Sequence, residues 1–292
     1  MVDLLRQNSY DLQDLIRIVK ILRSPGGCQW DAAQTHESIR RNFLEEAYEV
    51  AEAIDEGNLA HLKEELGDVL LQVVFHASIE EDAGHFDLND VADGVSKKLI
   101  YRHPHVFGDV TVHSTGEILS NWEELKKKEK GQATQADAVD AVARSLPALW
   151  RAEKVQKKAA KVGFDWPDLS RVMDKLSEEI QELKDAVGSR GDPVEELGDL
   201  LFAAVNAARF LNADPEDALQ AATDKFAARF RLMEQRVLES GRRMDELSLS
   251  ELDTIWNQVK HSPPRSLTAP RRALSDRPAA MPQRKISRRT QS

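Results

Sequence analysis

Residues 43–75 read FLEEAYEVAEAIDEGNLAHLKEELGDVLLQVVF, and residues 175–205 read KLSEEIQELKDAVGSRGDPVEELGDLLFAAV. In the first stretch Leu44, Ala47, Val50, Ala51 and Ile54 recur at the three- and four-residue steps of one helix face. Leu62, Leu66, Val69, Leu70, Val73 and Val74 do so again beyond Glu56-Gly57-Asn58. Two apolar stripes separated by a glycine break predict a pair of antiparallel helices joined by a short turn. The second stretch repeats the first: Glu45-Glu46 is answered by Glu178-Glu179, and Glu49 by Glu182. The block Glu64-Glu65-Leu66-Gly67-Asp68 returns as Glu195-Glu196-Leu197-Gly198-Asp199.

The flanks repeat as well. Trp30-Asp31 precedes the first unit and Phe164-Asp165-Trp166 the second. Downstream, Lys98 and Arg102 are matched by Lys225 and Arg229, and Trp122 and Lys126 by Trp256 and Lys260, each pair keeping its four-residue step. Matches in one order along the chain indicate internal duplication. No run of alternating β-branched residues interrupts the helical spacing, and breakers such as Ser24-Pro25-Gly26-Gly27, Gly84, Pro104, Gly131 and Pro147 fall between stripes. The reading is an all-α protein of two tandem duplicated helical-bundle units, residues 1–125 and 143–260. The charged, Gln/Ala-rich stretch 126–142 connects them, and 261–292 forms a tail.

Charge is divided along the chain. The net charge is −10, yet the tail carries eight Arg and Lys against Asp276, so residues 1–260 hold −17. An acidic body argues against duplex nucleic acid as a partner and suits collection of divalent cations. The Pro-, Ser- and Arg-rich tail lacks an apolar period and reads as a disordered extension. The N-terminus has neither the basic start nor the apolar run of a signal peptide, and no stretch approaches a membrane span. A lone Cys28 fits a reducing compartment, so a cytoplasmic location is expected.

The acids carry the chemistry. Glu46 and Glu49 lie one turn apart on one face, as do Glu65 and Asp68. Glu49 and Glu65 stand eight residues either side of Gly57, and Glu46 and Asp68 eleven either side. Folding the hairpin at Gly57 therefore brings both pairs level. In the second copy Glu182 and Glu196 stand seven residues either side of Ser189, and Glu179 and Asp199 ten either side. The register survives although the linking sequence differs and is two residues shorter. Four converging carboxylates repel or take up protons unless a cation sits among them, and all-oxygen ligands favour Mg²⁺, with Mn²⁺ as a substitute. A helix-interior glycine, Gly67 or Gly198, costs about 1 kcal/mol relative to alanine, which a close approach of backbone or ligand would explain.

Competing readings are limited. Glu-x-x-Glu on a charged helix is ordinarily a solvated face, but that does not account for a mirrored register occurring twice. A di-iron carboxylate bundle needs Glu-x-x-His on two helices, and residues 139–260 contain no histidine. His103-Pro104-His105 reads as a structured loop before it reads as a metal site. Neither a Walker-type nor a dinucleotide glycine fingerprint is present, so phosphate recognition would rest on metal and side chains. Lys225 with Arg229, and Lys98 with Arg102, would neutralise phosphate oxygens or simply be surface charge. Trp256 with Lys260 would pair an indole with an ammonium, beside a base and a phosphate, or lie in the core.

The order Trp-Asp, LEE-x-x-E, EELGD, RHPHVF at 102–107, W-x-x-x-K, SLPAL at 145–149 and VGFDW at 162–166 resembles the MazG family of all-α nucleoside triphosphate pyrophosphatases over residues 10–260. The resemblance implies hydrolysis of NTPs and dNTPs to monophosphate and pyrophosphate by a homodimer of interlocked bundles. It implies Mg²⁺ on Glu179, Glu182, Glu196 and Asp199, polarising the α-phosphate and activating a water that a carboxylate orients or deprotonates. Lys175, Lys225 and Arg229 would contact phosphates, and Trp256 and Lys260 the nucleotide, with the C-terminal copy carrying activity. The N-terminal copy keeps Glu46, Glu49, Glu65, Asp68, Lys98, Arg102, Trp122 and Lys126, but has Asn42 where Lys175 stands, which places its full activity in doubt. A narrower dUTP, dCTP or phosphoribosyl-ATP pyrophosphatase is the second reading, and a non-catalytic nucleotide-binding scaffold the third.

Overall fold

The computed structural model describes residues 8–188 and 191–261. Ser189, the centre of the second mirror, and the tail from Ser262 lie outside them. The described residues form helices and no strand: α1 (Leu12–Arg23), α2 (Gln29–Ala32), α3 (His36–Glu56), α4 (Leu59–Asp82), α5 (Leu88–Arg102), α6 (Pro104–Phe107), α7 (Thr115–Glu129), α8 (Gln135–Asp140), α9 (Ala148–Ala160), α10 (Leu169–Gly188), α11 (Pro193–Phe210), α12 (Pro215–Glu239) and α13 (Leu249–Lys260). No helix among them is long and apolar enough to cross a membrane. The chain packs as two units, dividing between Tyr101 and Arg102.

In the first unit α3 and α4 form the expected antiparallel hairpin, with α1 laid against α4. Gly57 takes the left-handed conformation, φ 66°, and the Asn58 N–H returns to the Ala53 carbonyl at 3.2 Å. The Asn58 side chain then accepts from the N–H groups of Ala60 and His61, so helix end and helix start share two residues. Val19, Ile39, Val74 and Phe75 make the core, flanked by Leu15, Ile16, Leu71, Ile79 and Leu88. Each such side chain, fully buried, contributes roughly 1.5–3 kcal/mol.

The second unit repeats the hairpin with α10 and α11, capped at its turn by the Asp192 carboxylate on the Val194 N–H, 2.9 Å. Around it, α9 packs on α8, α11 and α12, and α13 on α12. Val172, Val205, Val237 and Val259 are buried. Gln156, also buried, donates to the Phe202 carbonyl at 2.8 Å, and the Trp150 indole donates to Asp214, which caps α12. Both units tether the aspartate of the duplicated Trp-Asp region to an arginine. The Arg23 guanidinium donates to the Asp31 carbonyl at 3.0 Å and lies over Phe75; Arg209 clamps Asp165 with two nitrogens.

Packing and repeat boundaries do not coincide. The stretch 126–142 contains the end of α7 and all of α8, whose Thr134 and Asp137 form a reciprocal cap and whose Ala138 is buried. Helix α7 is fixed within the second unit by Glu123 pairing with Lys161 and Glu129 pairing with Arg102.

Helix α13, which carries Trp256 and Lys260, starts at Ser248 with a capping box closed by Glu251. Replacing Ser248 with alanine is expected to cost about 1 kcal/mol in urea unfolding. The Glu251 carboxyl is drawn down to about 2, first by its hydrogen bond from Arg242 and then by the Ser248 N–H and hydroxyl. A depressed carboxyl stabilises above its ordinary value of 4.5, and the contribution is lost as pH falls through about 2. Glu251→Gln is expected to remove that acid-sensitive share, and pH-dependent unfolding of both proteins measures it.

Candidate active site

Helix α3 presents Glu46 and Glu49 one turn apart, and α4 presents Glu65 and Asp68 opposite them. Oxygens of Glu46, Glu49 and Glu65 all lie within 4.8 Å of one another; in the second hairpin the same holds for Glu179, Glu196 and Asp199. The mirrored register therefore does bring acids from paired helices together. Each hairpin gathers three of its four, and a different three: Asp68 stands outside the first set and Glu182 outside the second.

The two clusters differ in how their charge is answered. In the first, burial and then the charges of Asp68, Glu49 and Glu65 push the Glu46 carboxyl up. Burial, followed by Glu49, also pushes Glu65 up. His61 reaches Glu65 at 3.1 Å and Glu56 at 3.2 Å, and its own pKa rises, chiefly through Glu56. Sequence reading passed over His61, although its four-residue step to Glu65 on α4 was visible.

In the second cluster the ammonium of Lys175 donates to Glu178 at 2.7 Å and Glu179 at 2.8 Å, and stands 4.0 Å from Glu182. Those hydrogen bonds hold the lysine firmly protonated. Burial raises the Glu182 carboxyl while Lys175 opposes it. Glu179 is only 5% exposed, and its Oε2 has no hydrogen-bond partner among the described residues. A buried carboxylate oxygen without a partner carries an unpaid desolvation cost, which a cation would relieve. The donor set is all oxygen and suits a hard divalent ion. No atom among the described residues approaches a Cβ built on Gly67 or Gly198, so this chain does not itself supply the close approach expected there.

The cationic and aromatic candidates are placed as follows. Lys225 and Arg229 lie one turn apart on α12 and make no ion pair among the described residues. Phe226, beside them, packs on Trp256 at 5.1 Å between centroids and on Phe230 at 6.1 Å. Lys260 is exposed at the end of α13. Among the described residues no hydrogen bond or ion pair is seen joining these groups to the acids of α10 and α11. Lys98 is exposed on α5. Arg102, Trp122 and Lys126 do meet: the guanidinium lies 5.4 Å and the ammonium 4.7 Å from the indole centroid. They belong to the second packing unit, whereas Glu46, Glu49, Glu65 and Asp68 belong to the first. His103 and His105 flank Pro104 at the start of α6 with rings 5.7 Å apart, and neither joins a group of three metal-capable side chains among the described residues.

Comparison with known proteins follows the same duplication. The family model described as MazG nucleotide pyrophosphohydrolase domain matches residues 34–107 and again 168–231. The matched segments contain both acid clusters together with Lys98, Arg102, Lys175, Lys225 and Arg229, and exclude both Trp–Lys pairs. The chain is 48% identical to the nucleoside triphosphate pyrophosphohydrolase/pyrophosphatase MazG of Thermotoga maritima, over 85% of this chain and 95% of that protein. It is 46% identical to the nucleoside triphosphate pyrophosphohydrolase of Escherichia coli K12, over 84% and 95% respectively. An uncharacterized Bacillus subtilis protein, YabN, is 48% identical over 85% of this chain and 51% of its own length.

Proposed function

The chain belongs to the MazG nucleotide pyrophosphohydrolase family, and on that premise we propose that it hydrolyses nucleoside and deoxynucleoside triphosphates to monophosphate and pyrophosphate. Activity is assigned to the α10–α11 hairpin, with broad base tolerance and a role in cytoplasmic nucleotide-pool control. The observation that carries the assignment is Glu179, buried with one oxygen on Lys175 and the other without a partner among the described residues, beside Glu196 and Asp199.

Glu179, Glu196 and Asp199 would hold Mg²⁺, or Mn²⁺ in its place, with Glu182 completing the acidic set. A divalent ion there supplies Lewis-acid stabilisation of the negative charge that develops on the triphosphate. The protein's own groups do the rest. Lys175 donates to Glu179 at 2.8 Å and offers an ammonium to an incoming phosphate. Glu182, outside the close trio, accepts a proton from the attacking water. Lys225 and Arg229 supply unneutralised positive charge for the departing pyrophosphate, and Trp256, backed by Phe226, an aromatic surface for the base.

A homodimer accompanies this reading. Leu66 and Leu70 are exposed on α4, and the duplicated positions Leu197 and Leu201 are exposed on α11. Such repeated apolar stripes are what a second copy would cover. Sedimentation equilibrium is expected to return twice the 32.8 kDa chain mass at micromolar protein. A monomer throughout that range would remove the dimer from the proposal.

The reaction is tested by ion-exchange analysis of products from each common NTP and dNTP, with Mg²⁺ or with EDTA. Monophosphate and pyrophosphate, formed only with the metal, are expected. Diphosphate and orthophosphate would overturn the bond assignment, and absence of turnover on every nucleotide would favour the binding scaffold.

A further inference from the structure

The end of α7 and the body of α9 carry many lysines, and the second unit folds them toward one another. Lys126 feels the positive charges of Lys130, Lys158, Arg102 and Lys154; Lys158 feels those of Lys127, Lys130 and Lys154. Gln135 of α8 ties the two helices, accepting from the Lys127 ammonium at 3.2 Å and donating to the Lys158 carbonyl at 2.5 Å. The Trp122 indole holds Arg102 and Lys126 from beneath. Three acids nearby are already committed, Glu129 to Arg102, Glu153 to Lys157 and Glu123 to Lys161, while the exposed Glu124 lines one surface hollow with Lys127 and Lys128. Among the described residues Lys126, Lys127, Lys130, Lys154 and Lys158 make no ion pair.

Cations near a helix C-terminus are ordinarily stabilising. That explains lysines at the end of α7 or of α9 separately. It does not explain why both sets converge and become partly desolvated. Burial first, and like charge second, weaken the hold of Lys126 and Lys158 on their protons. Residues 1–260 carry −17, so a concentration of cations here runs against the background of the chain.

We propose that Arg102, Lys126, Lys127, Lys130, Lys154 and Lys158, gathered by α7, α8 and α9, form an oligophosphate-binding site. A compact anion of several charges matches a gathered set of ammonium groups in which Lys126, Lys127 and Lys158 are half-buried and Lys130 and Lys154 are exposed. A long nucleic acid would have to lie along an acidic body. The ligand chemistry is a short phosphate chain, either free pyrophosphate or the polyphosphate of a nucleotide. The inference rests on the lysine cluster and not on where hydrolysis occurs.

The test is calorimetric titration of the full-length protein, in EDTA at constant ionic strength, with inorganic pyrophosphate and separately with a non-hydrolysable nucleoside triphosphate. Lys154→Ala/Lys158→Gln is compared with a charge-matched control, Arg40→Ala/Lys184→Ala, at two exposed positions outside both the lysine cluster and the active site. Pyrophosphate binding is expected to weaken at least tenfold in the first variant and less than twofold in the second. Nucleotide binding that follows the same pattern would identify a nucleotide's phosphates as the ligand; dependence confined to pyrophosphate would identify the free anion. Without ligand, the first variant is expected to melt no lower than the parent, because repulsion has been removed, and pyrophosphate is expected to raise the melting temperature of the parent and the second variant but not of the first. Equal affinity in the first variant, loss confined to the second, or no binding by the parent at millimolar pyrophosphate would overturn the site. Displacement of pyrophosphate by a lower concentration of oligonucleotide would overturn it in favour of a nucleic-acid surface.

Discussion

Glu179→Gln is expected to lower kcat for triphosphate hydrolysis by at least two orders of magnitude while leaving the helical fold intact. Glutamine keeps the volume of a side chain that is 5% exposed, so the packing of α10 against α11 is retained. It removes the charge that answers Lys175 and the oxygen that lacks a partner. Loss of one preorganised electrostatic group in an active site typically costs about 10²–10³ in kcat. The matched control is Glu65→Gln, which neutralises a buried acid of the other cluster. It is expected to change steady-state kcat by less than about twofold if the C-terminal hairpin carries turnover. Circular dichroism and steady-state kinetics on both variants decide the matter. Equal losses would mean that the two halves work together, and loss in Glu65→Gln alone would reverse the assignment.

The second large effect is expected at the position where the copies differ. Lys175→Asn gives the C-terminal cluster the residue that Asn42 supplies in the N-terminal one. The ammonium then no longer answers Glu178, Glu179 and Glu182. A charge-assisted phosphate contact is lost with it, so kcat/KM is expected to fall roughly 10- to 100-fold. At the same time the metal-free protein should bind Mn²⁺ more tightly, because a competing internal cation has gone. A purely structural lysine would lower stability without opposing shifts in catalytic efficiency and metal affinity. The reciprocal change, Asn42→Lys, is expected to weaken Mn²⁺ binding at the first cluster. Its ammonium would stand one turn before Glu46, where Lys175 stands before Glu179.

Much of this was legible in the chain. The mirror about Gly57 required only that two helices meet antiparallel, and the left-handed Gly57 with its Asn58 cap makes that turn. Which three acids of four would converge was not legible, because it depends on side-chain direction, which helical spacing leaves open. Short α8 was hidden in a stretch read as connector, although its Thr134 and Asp137 carry a capping signature. The lysine cluster was beyond reach for a different reason. Lys126 and Lys158 are far apart in sequence, and only the packing of α7, α8 and α9 brings their charges together. His36, within 2.7 Å of His76 and paired with Glu80, was missed in the same way, since α3 and α4 each supply part of the group.

Binding of Mn²⁺, followed by electron paramagnetic resonance in the presence of a non-hydrolysable nucleoside triphosphate, tests the α10–α11 assignment most directly when applied to the parent, Glu179→Gln and Glu65→Gln. The parent and Glu65→Gln are expected to share a nucleotide-dependent class of bound ion that Glu179→Gln binds at least tenfold more weakly. Retention of that class at parental affinity in Glu179→Gln would contradict metal-dependent catalysis at the C-terminal hairpin.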